Sequence, residues 1–444
     1  MSENDKNSGE PKGKTYYSLE EKPPPEETVL LGFQHMLAMF VGIITPPLII
    51  AGVAGLGPTE TGFFVSMALI MSGIVTFVQC RRFGPVGAGL LGVTGTSFTF
   101  VPMAIASAEA GGVALALGMS LVTSPVQMLI SRFIKQAQKL FPPIVTGSVV
   151  TLIGLSLIEV GMQDFAGGAD AADFGSPQNL LVGFFVLIVI IFCNRFGSGL
   201  VKIGAVAIGL IAGYILAIPL GMVDFAPIFD AGWFTVPRPL HFGLDFDLGH
   251  LLPWIIAYFI TSIESLGDLT AIAQTSNEPI TGKLHHDRLS RGILADALGS
   301  AVSAIFNSLP NTTFSQNIGV IQITKVGSRY VGYAVAAILL LLGFIPKIGA
   351  IVSVMPSPVL GGATLALFGM VAVAGINIAT RNGLNDRKIF IFSISLSFGL
   401  GITYHPDAVE QLPQILSTML SSGVAVGAIL AMALNLIIPE KKQG

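Results

Sequence analysis

Long apolar runs dominate this chain, and short polar or charged stretches separate them. A helix that spans a bilayer needs roughly 20 apolar residues, and the runs predict fourteen such segments. In chain order they are 29–52, 61–79, 86–106, 112–134, 144–162, 179–194, 200–222, 248–272, 291–306, 314–324, 331–353, 358–377, 388–404 and 412–438. Segments three and ten are irregular, and segment ten is too short to span alone. The pattern predicts an all-α polytopic membrane protein.

Lysines and arginines test this number of crossings. If the N-terminus is cytoplasmic, 21 of the 23 lysines and arginines fall in cytoplasmic regions, and only Arg238 and Lys347 fall outside. Cytoplasmic loops carry an excess of these residues, and a miscount of one segment would scramble the later assignments. The charges therefore predict fourteen crossings and both termini in the cytoplasm. We expect the protein in the inner (plasma) membrane of the cell.

An internal repeat relates the two halves of the chain. Four residues recur at an offset of 214, namely Pro142, Val145, Gly147 and Gly161 as Pro356, Val359, Gly361 and Gly375, and GTSFTF recurs as NTTFSQ. Seven segments per copy is an odd number, so the second copy enters the membrane from the opposite side. Such a seven-plus-seven inverted repeat is associated with alternating-access transport. In segments three and ten we expect short extended stretches that pair with each other, each followed by a half-helix.

Composition narrows the class of protein further. The chain is 52% hydrophobic and only 11% charged, with a mean hydropathy of +0.76, whereas soluble domains carry about 25% charged residues. The net charge of −3 gives no basis for nucleic-acid binding. Cys80 and Cys193 lie in apolar context and indicate neither a disulfide framework nor a metal cluster. Residues 1–27 are polar and include three consecutive prolines, which predicts a disordered cytoplasmic tail.

Five ionisable residues lie inside predicted segments, where they are costly and therefore mark function: His35, Glu159, Glu264, Asp268 and Asp296. Glu264 and Asp268 are four residues apart, so both carboxylates lie on one helix face. Two like charges there repel each other, and a carboxyl group that gains and loses a proton suits proton coupling. The alternative is a solvated helix end that faces the cytoplasm.

The other three have their own alternatives. Asp296 is either a coupling residue or a helix cap or salt-bridge partner of Arg288 or Arg291. His35 is either a proton carrier or a buried neutral histidine that hydrogen-bonds a neighbouring helix. Glu159 lies near the external end of its segment, where a structural or interfacial role suffices. No nucleophile–base pair or metal cluster is placed at membrane depth, so an integral membrane enzyme is not expected, and no cofactor is implied.

Two amides and two aromatic rings lie beside the irregular segments. Gln316 and Asn317 present both donors and acceptors, which suits a planar heterocycle with adjacent C=O and N–H groups. Phe98 and Phe314 are candidates for stacking on such a ring, although packing is the ordinary role of phenylalanine.

The stretch QNIGVIQITK (316–325) resembles the signature of the nucleobase–ascorbate transporter family, since Gln316, Asn317, Gly319, Thr324 and Lys325 all fit it. The resemblance covers nearly the whole chain and includes QHMLAMF, TSFTF, ESLGDLTA, LADALGS and PSPVLGGATL. It implies a core domain from segments 1–4 and 8–11 and a gate domain from segments 5–7 and 12–14. The corresponding ranges are 28–140 and 226–354 for the core, and 141–225 and 355–440 for the gate.

The resemblance also implies roles for single residues. Glu264 matches the essential carboxylate that binds the base, Gln316 the residue that contacts it, and Phe98 the aromatic residue beside the first break. The other matches are Asp268, Asp296 and His35 for proton coupling, Asn317 and Gly319 for support of the site, Ser315 for a backbone N–H contact to substrate, and Ser97 and Thr364 for positions near the substrate.

In this family, Gln at the position of Gln316 together with Asp at the position of Asp268 goes with xanthine or uric acid. The resemblance therefore implies a proton-coupled importer of an oxidised purine that acts as a homodimer. The alternatives are a permease for uracil or another nucleobase, and an anion transporter of the same architecture. Against an anion site, two carboxylates are predicted there and no cation is nearer than Lys325.

Overall fold

The computed structural model describes residues 16–134, 136, 141–169, 171–381 and 383–438. Most of these residues are helical. The helices of four or more residues are α1 Pro25–Val53, α2 Pro58–Arg81, α3 Val101–Ile130, α4 Pro143–Phe165, α5 Pro177–Phe196, α6 Leu200–Ile203, α7 Ala205–Ala217, α8 Ala226–Asp230, α9 Leu251–Thr275, α10 Gly282–Ile305, α11 Gln316–Thr324, α12 Arg329–Phe344, α13 Pro346–Ser353, α14 Ser357–Thr380, α15 Asp386–Tyr404, α16 Gln414–Leu420 and α17 Gly423–Ile437. Two strands, β1 Thr94–Thr96 and β2 Asn311–Thr313, complete the regular structure.

Every predicted segment except the third coincides with a helix or with consecutive helices, and the third contains β1, the following 3₁₀ turn and the start of α3. The all-α polytopic fold class is confirmed. Among the described residues, seven helices are long and apolar enough to span a membrane alone, and nine spans result when two bent pairs are included. These pairs are α12 with α13, bent by 76°, and α16 with α17, bent by 83°. Segments three and four are continuous in α3, broken only at Gly111 and Gly112, where Gly112 has a φ of 66°.

The two strands cross at the centre of the fold, as the irregular segments predicted. They are antiparallel, and Thr94 pairs with Thr313 and Thr96 with Asn311. In each repeat, a hydroxyl group of the second helix accepts a hydrogen bond from the strand of the same repeat. Thr76 Oγ1 in α2 accepts from Thr94 N at 3.0 Å, and Ser300 Oγ in α10 accepts from Asn311 N at 3.0 Å. Each strand thus finds partners for its backbone groups inside the protein, as extended backbone at membrane depth requires.

Prolines in α1 explain how the first strand is anchored. Pro46 and Pro47 lie inside the helix and have no N–H groups, so the carbonyl oxygens four residues earlier lose their helical donors. The Thr96 hydroxyl lies 3.3 Å from Gly42 O and 2.6 Å from Ile43 O. One side chain of the strand therefore serves both carbonyl groups that the prolines release.

The helices pack in two groups. One contains α1, α2, α3, α9, α10, α11 and α12, and the other contains α4, α5, α7, α14, α15 and α17. Contacts between the groups are sparser than contacts within them. The division into core and gate domains, together with their relative motion, stays a prediction.

Repeat glycines bring α4 and α14 together. A Cβ on Gly147 would lie 2.4 Å from Ala379 N, and a Cβ on Gly375 would lie 2.3 Å from Thr151 N. A Cβ on Gly361 would lie 2.0 Å from Phe165 N. Small residues allow helix backbones to approach closely in membranes. The recurrence of glycine in the two halves thus reflects one shared helix–helix contact.

The N-terminal tail differs from its prediction. Residues 16–27 pack against the core instead of forming a disordered tail, and Leu19 is only 2% exposed. Tyr16 N donates to Lys325 O at 2.8 Å, and Arg329 N donates to Leu19 O at 3.1 Å. The reason is that Leu19 buries an apolar side chain while the backbone pairs with the α11–α12 connection. Residues 1–15 of the predicted tail lie outside the described residues.

Candidate functional site

The site lies where the chain leaves the two strands and enters the half-helices. After β1, a 3₁₀ turn at Phe98–Phe100 leads into α3, and after β2, Ser315 precedes α11. No side chain caps either helix start. Among the described residues, the backbone N–H groups of Phe98, Thr99, Ser315 and Gln316 have no acceptor. Free N–H groups at helix N-termini attract acceptors and negative charge.

Glu264 faces this region from α9. Its side chain is half-buried, and Thr99 Oγ1 donates to Oε2 at 2.7 Å. Oε1 has no donor among the described residues. The carboxylate therefore keeps one oxygen available to a ligand while the other is held by the 3₁₀ turn of the opposite repeat.

Asp268 lies one turn further along α9 and is also half-buried. Within the described part of the chain, no hydrogen bond reaches its carboxylate. Gly267 beside it is exposed, and a Cβ there would meet nothing within 4 Å. The predicted carboxylate pair is thus present on one face and borders open space.

The start of α11 borders open space as well. Ser315, Gln316 and Gly319 are exposed, and a Cβ on Gly319 would meet nothing within 4 Å. Helices α9 and α11 are neighbours. Nothing packs against Gly319, so a tight helix contact does not explain the glycine at this position of the motif.

Asn317 points the other way, into the protein. It is fully buried, and its Nδ2 donates to Leu91 O. His35, also fully buried, lies beside its side chain, but Asn317 Oδ1 and both ring nitrogens of His35 have no formed hydrogen bond among the described residues. Among the described residues, the His35 side chain thus makes no hydrogen bond to a neighbouring helix, and its role in proton coupling stays a prediction.

Asp296 is sealed away from the open region. It is fully buried and accepts from Ser265 Oγ at 2.6 Å, from Gln79 Nε2 at 3.2 Å, and from the Thr313 backbone and hydroxyl groups. The alternative of a salt bridge to Arg288 is wrong, because Arg288 pairs with Glu278 at 2.7 Å. Three predicted coupling carboxylates thus separate into two that border open space and one that is enclosed.

The aromatic candidates also differ from each other. Phe98 is half-buried, and its ring meets Phe368 of α14 edge-on at 5.9 Å between centroids. Phe314 is only 5% exposed and packs over Gly42 and Gly95. The prediction of Phe314 as a stacking residue is wrong, because its ring fills the gap that these two glycines leave.

Two predicted polar residues are buried at the edge of the site. Ser97 is 1% exposed, and its hydroxyl has no hydrogen-bond partner among the described residues. Thr364 is 1% exposed, and its hydroxyl donates to Gly361 O of its own helix at 3.2 Å. Neither hydroxyl contacts Glu264 or Gln316.

An acidic cavity of about 960 Å³ opens at another place, between α3, α4, the segment just before α9, and α15–α17. Glu109, Glu159, Asp245 and Asp247 line it, and none of the other predicted site residues does. His250 lies 2.6 Å from Asp247, and this hydrogen bond lowers the pKa of the Asp247 carboxyl. Glu159 thus lines an open cavity, which agrees with a structural or interfacial role for this residue.

Sequence reasoning missed four partners of the carboxylates: Thr99, Gln79, Ser265 and Thr313. Thr99 lies inside the repeated TSFTF motif, so its signal was present. Ser265 lies within ESLGDLTA and Thr313 within NTTFSQ, so motifs also surround these two residues. Gln79 stands in an apolar helix and has no motif around it, and only the fold brings the three residues to Asp296.

Comparison with known proteins adds independent information. Residues 26–408 match the model of a permease family, Xan_ur_permease. The chain is 42% identical over 440 residues to the xanthine permease XanP of Escherichia coli K12, covering 96% of this chain and 95% of XanP. It is 40% identical over 435 residues to xanthine permease XanQ of the same strain, covering 95% and 93%. The nucleobase transporter PlUacP of Paenibacillus larvae is 38% identical over 421 residues, covering 94% and 96%.

Solved structures share the fold at low sequence identity. The transmembrane domain of the cyanobacterial bicarbonate transporter BicA superposes with a TM-score of 0.58 at 14% identity, covering 94% of this chain and 99% of that domain. SLC26A9 gives the same TM-score at 12% identity, covering 93% and 66%. These transporters have the inverted-repeat architecture, which confirms the predicted fold class. At such identities the likeness concerns the fold alone.

Proposed function

Since this chain belongs to the nucleobase–ascorbate transporter family, we propose that it imports an oxidised purine base, xanthine or uric acid, by proton symport. The observation that carries the proposal is Glu264, a membrane-embedded carboxylate with one free oxygen beside the open N-termini of two half-helices. The xanthine permeases among its relatives support the choice of purine.

The site complements an oxidised purine in its hydrogen bonding. Such a base presents ring N–H donors and carbonyl acceptors around a flat ring. The free oxygen of Glu264 accepts from a ring N–H, and the unpaired backbone N–H groups of Phe98, Ser315 and Gln316 donate to carbonyl oxygens. The Gln316 amide supplies one more donor and acceptor, and Phe98 lies beside the ring.

Proton coupling is assigned to Glu264 and Asp268. Both carboxylates border the same open space, and Asp268 has no hydrogen bond within the described part of the chain. Intramembrane carboxylates of this kind serve as proton relays. In this proposal Glu264 both binds the base and carries the proton. Protonation of its carboxylate and binding of the base therefore influence each other directly.

Alternating access follows from the two groups of helices. The site lies on the core elements α9, α11 and the 3₁₀ turn, and Phe98 touches Phe368 of the gate helix α14. We propose that the core moves against the gate, so that this sparse boundary opens to either side in turn. The distribution of lysines and arginines supports an inner-membrane protein with both termini in the cytoplasm. Membership of the family supports a homodimer.

Uptake of radiolabelled xanthine into proteoliposomes tests this function. We expect saturable uptake that requires an inward proton gradient, disappears with a protonophore, and persists without sodium. Unlabelled xanthine and urate should compete, and uracil should not. Competition by uracil alone would favour the uracil permease, and chloride or bicarbonate flux without purine uptake would favour the anion transporter.

Replacement of Thr99 by valine tests how Glu264 is held. Valine keeps the shape of the side chain but removes the hydroxyl that donates to Oε2. A hydrogen bond to a charged group contributes about 1.5–3 kcal/mol, so we expect the KM for xanthine to rise roughly tenfold or more. Thr99→Ser keeps the donor and should retain most of the affinity. Equal KM values for the valine and serine variants would contradict this role of Thr99.

A further inference from the structure

We propose that Gln79 is a positioning residue of the substrate site. Its amide fixes the Asp296 carboxylate and thereby holds β2, the strand that leads into Ser315 and Gln316. The inference rests on the proposed function, because that function assigns the start of α11 to the base. Gln79 lies in α2, outside every motif that the sequence singled out.

The amide of Gln79 joins three elements of the core. The residue is fully buried, and Nε2 lies 3.2 Å from Asp296 Oδ1, 3.2 Å from Gly292 O and 3.1 Å from Thr313 Oγ1. An amide nitrogen carries two hydrogens, so two of these three acceptors are satisfied at any time. Helix α2 is therefore tied to α10 and to β2 through one side chain.

A backbone group fixes which end of the amide faces the carboxylate. Ala88 N donates to Gln79 Oε1 at 3.0 Å. If the amide were flipped, its oxygen would face the Asp296 carboxylate and the Gly292 carbonyl, and its nitrogen would face the Ala88 N–H. All of those contacts would be repulsive, so the surroundings allow one orientation.

Asp296 transmits this constraint to the strand. Its Oδ2 accepts from Ser265 Oγ at 2.6 Å, from Thr313 N at 3.3 Å and from Thr313 Oγ1 at 3.1 Å. An ionised carboxylate is an acceptor-only group, which fits this set of donors. Because Thr313 lies two residues before Ser315, the position of the carboxylate determines where the free N–H groups of α11 point.

The other repeat holds its strand without such a pair. The offset of 224 residues that relates Thr76 to Ser300 also relates Ser72 to Asp296 and Gln79 to Ser303. In the first repeat, the position of the carboxylate is thus a serine. Neutral hydroxyl groups suffice to hold β1. The amide–carboxylate pair lies beside β2, the strand that leads into Gln316.

An exchange of donor and acceptor between the two residues tests the proposal. Gln79→Glu alone places two carboxylates in contact. Asp296→Asn alone places an NH2 group against either Gln79 Nε2 or the Thr313 N–H, because donors face both oxygens of the carboxylate. We expect each single variant to lose xanthine uptake on the order of 100-fold, as for other broken buried polar pairs. The double variant Q79E/D296N restores a matched pair, in which the amide at position 296 donates to the carboxylate at position 79. Ser265, Thr313 and Ala88 then keep oxygen acceptors, whereas the Gly292 carbonyl faces a carboxylate oxygen in place of the amide NH2 group. Uptake should therefore recover in part, roughly tenfold over either single variant.

Two further measurements separate positioning from fold stability. KM and Vmax are determined per folded transporter, and Ser315→Cys is added to each background to measure its labelling by a maleimide. Ser315 is exposed, whereas Cys80 and Cys193 are buried. The single variants should raise KM and change the labelling rate, and the double variant should reverse both. Labelling does not depend on transport, so it reports on Gln79 even if the unsubstituted chain carries no xanthine.

Gln127 provides a matched control, because it is a fully buried glutamine in α3 whose side-chain amide makes no hydrogen bond within the described residues. Gln127→Glu combined with Asp296→Asn should bring no recovery. The proposal is overturned if Q79E/D296N is no better than the worse single variant, because Asp296 would then act independently of Gln79. It is also overturned if the single variants keep KM and labelling rate and only lower the amount of folded protein.

Discussion

Glu264→Gln should reduce xanthine uptake about 100-fold or more. The substitution keeps the size of the side chain and leaves an oxygen for the Thr99 hydroxyl, so the fold is retained. It replaces an acceptor with an amide that offers a donor toward the ring N–H of the base. Losing a charge-assisted hydrogen bond and leaving donors opposed costs about 3 kcal/mol, and the proposed proton carrier is lost as well. Uptake into proteoliposomes, normalised to folded protein, measures the effect.

Glu159→Gln is the matched control for this prediction. Glu159 is exposed and lines the acidic cavity, whose lining includes neither Glu264 nor Gln316 nor Phe98. The same chemical change there should leave KM and Vmax within about twofold, because surface substitutions have small effects. If Glu264→Gln also transported xanthine at the rate of the unsubstituted chain, Glu264 would be neither the ligand of the base nor the proton carrier.

Gly95→Val should abolish transport, because the larger side chain pushes the two crossing strands apart. Gly95 is the central residue of β1 and pairs with Thr312. A Cβ there would lie 2.7 Å from Ile43 Cγ1 and 2.7 Å from Phe314 Cζ, and valine adds two more methyl groups. Overpacking of a close-packed interior costs about 3 kcal/mol. We expect a lower Tm in detergent and a complete loss of uptake, because Phe314 directly precedes Ser315.

Gly52→Val serves as the comparison for that variant. Gly52 lies near the end of α1, and a Cβ there would meet nothing within 4 Å. Valine at this position should keep Tm and uptake close to those of the unsubstituted chain. A Gly95→Val protein with unchanged Tm and uptake would show that the strands tolerate a displaced Phe314 ring.

Helix positions were predictable from the sequence because they depend on local properties. In a bilayer, a helix satisfies its backbone groups within one segment, so apolar length alone marks it. The pairing of the two strands was also predictable, since the Thr- and Phe-rich stretches lie at equivalent places in the repeat. Residues 16–27 were predicted wrongly, because polar composition hides the buried Leu19 and the backbone partners near Arg329.

Side-chain partners depend on contacts between distant parts of the chain. Thr99 and Glu264 are 165 residues apart, and Gln79 and Asp296 are 217 residues apart. No pattern within one segment records such pairs. For the same reason, Phe98 and Phe314 look equivalent in the sequence, although Phe98 meets the gate helix and Phe314 fills the space over Gly95.

The sequence by itself determined the class of protein, the positions of the apolar segments, the repeat and the short set of membrane-embedded carboxylates. These follow from hydrophobic length and from the scarcity of charge in apolar runs, which are properties of single segments. Only the tertiary structure decided that Glu264 and Asp268 border open space while Asp296 is enclosed by Ser265, Thr313 and Gln79. The physical reason is that the surroundings of a carboxylate come from helices and strands far apart in the chain, and folding alone brings them together.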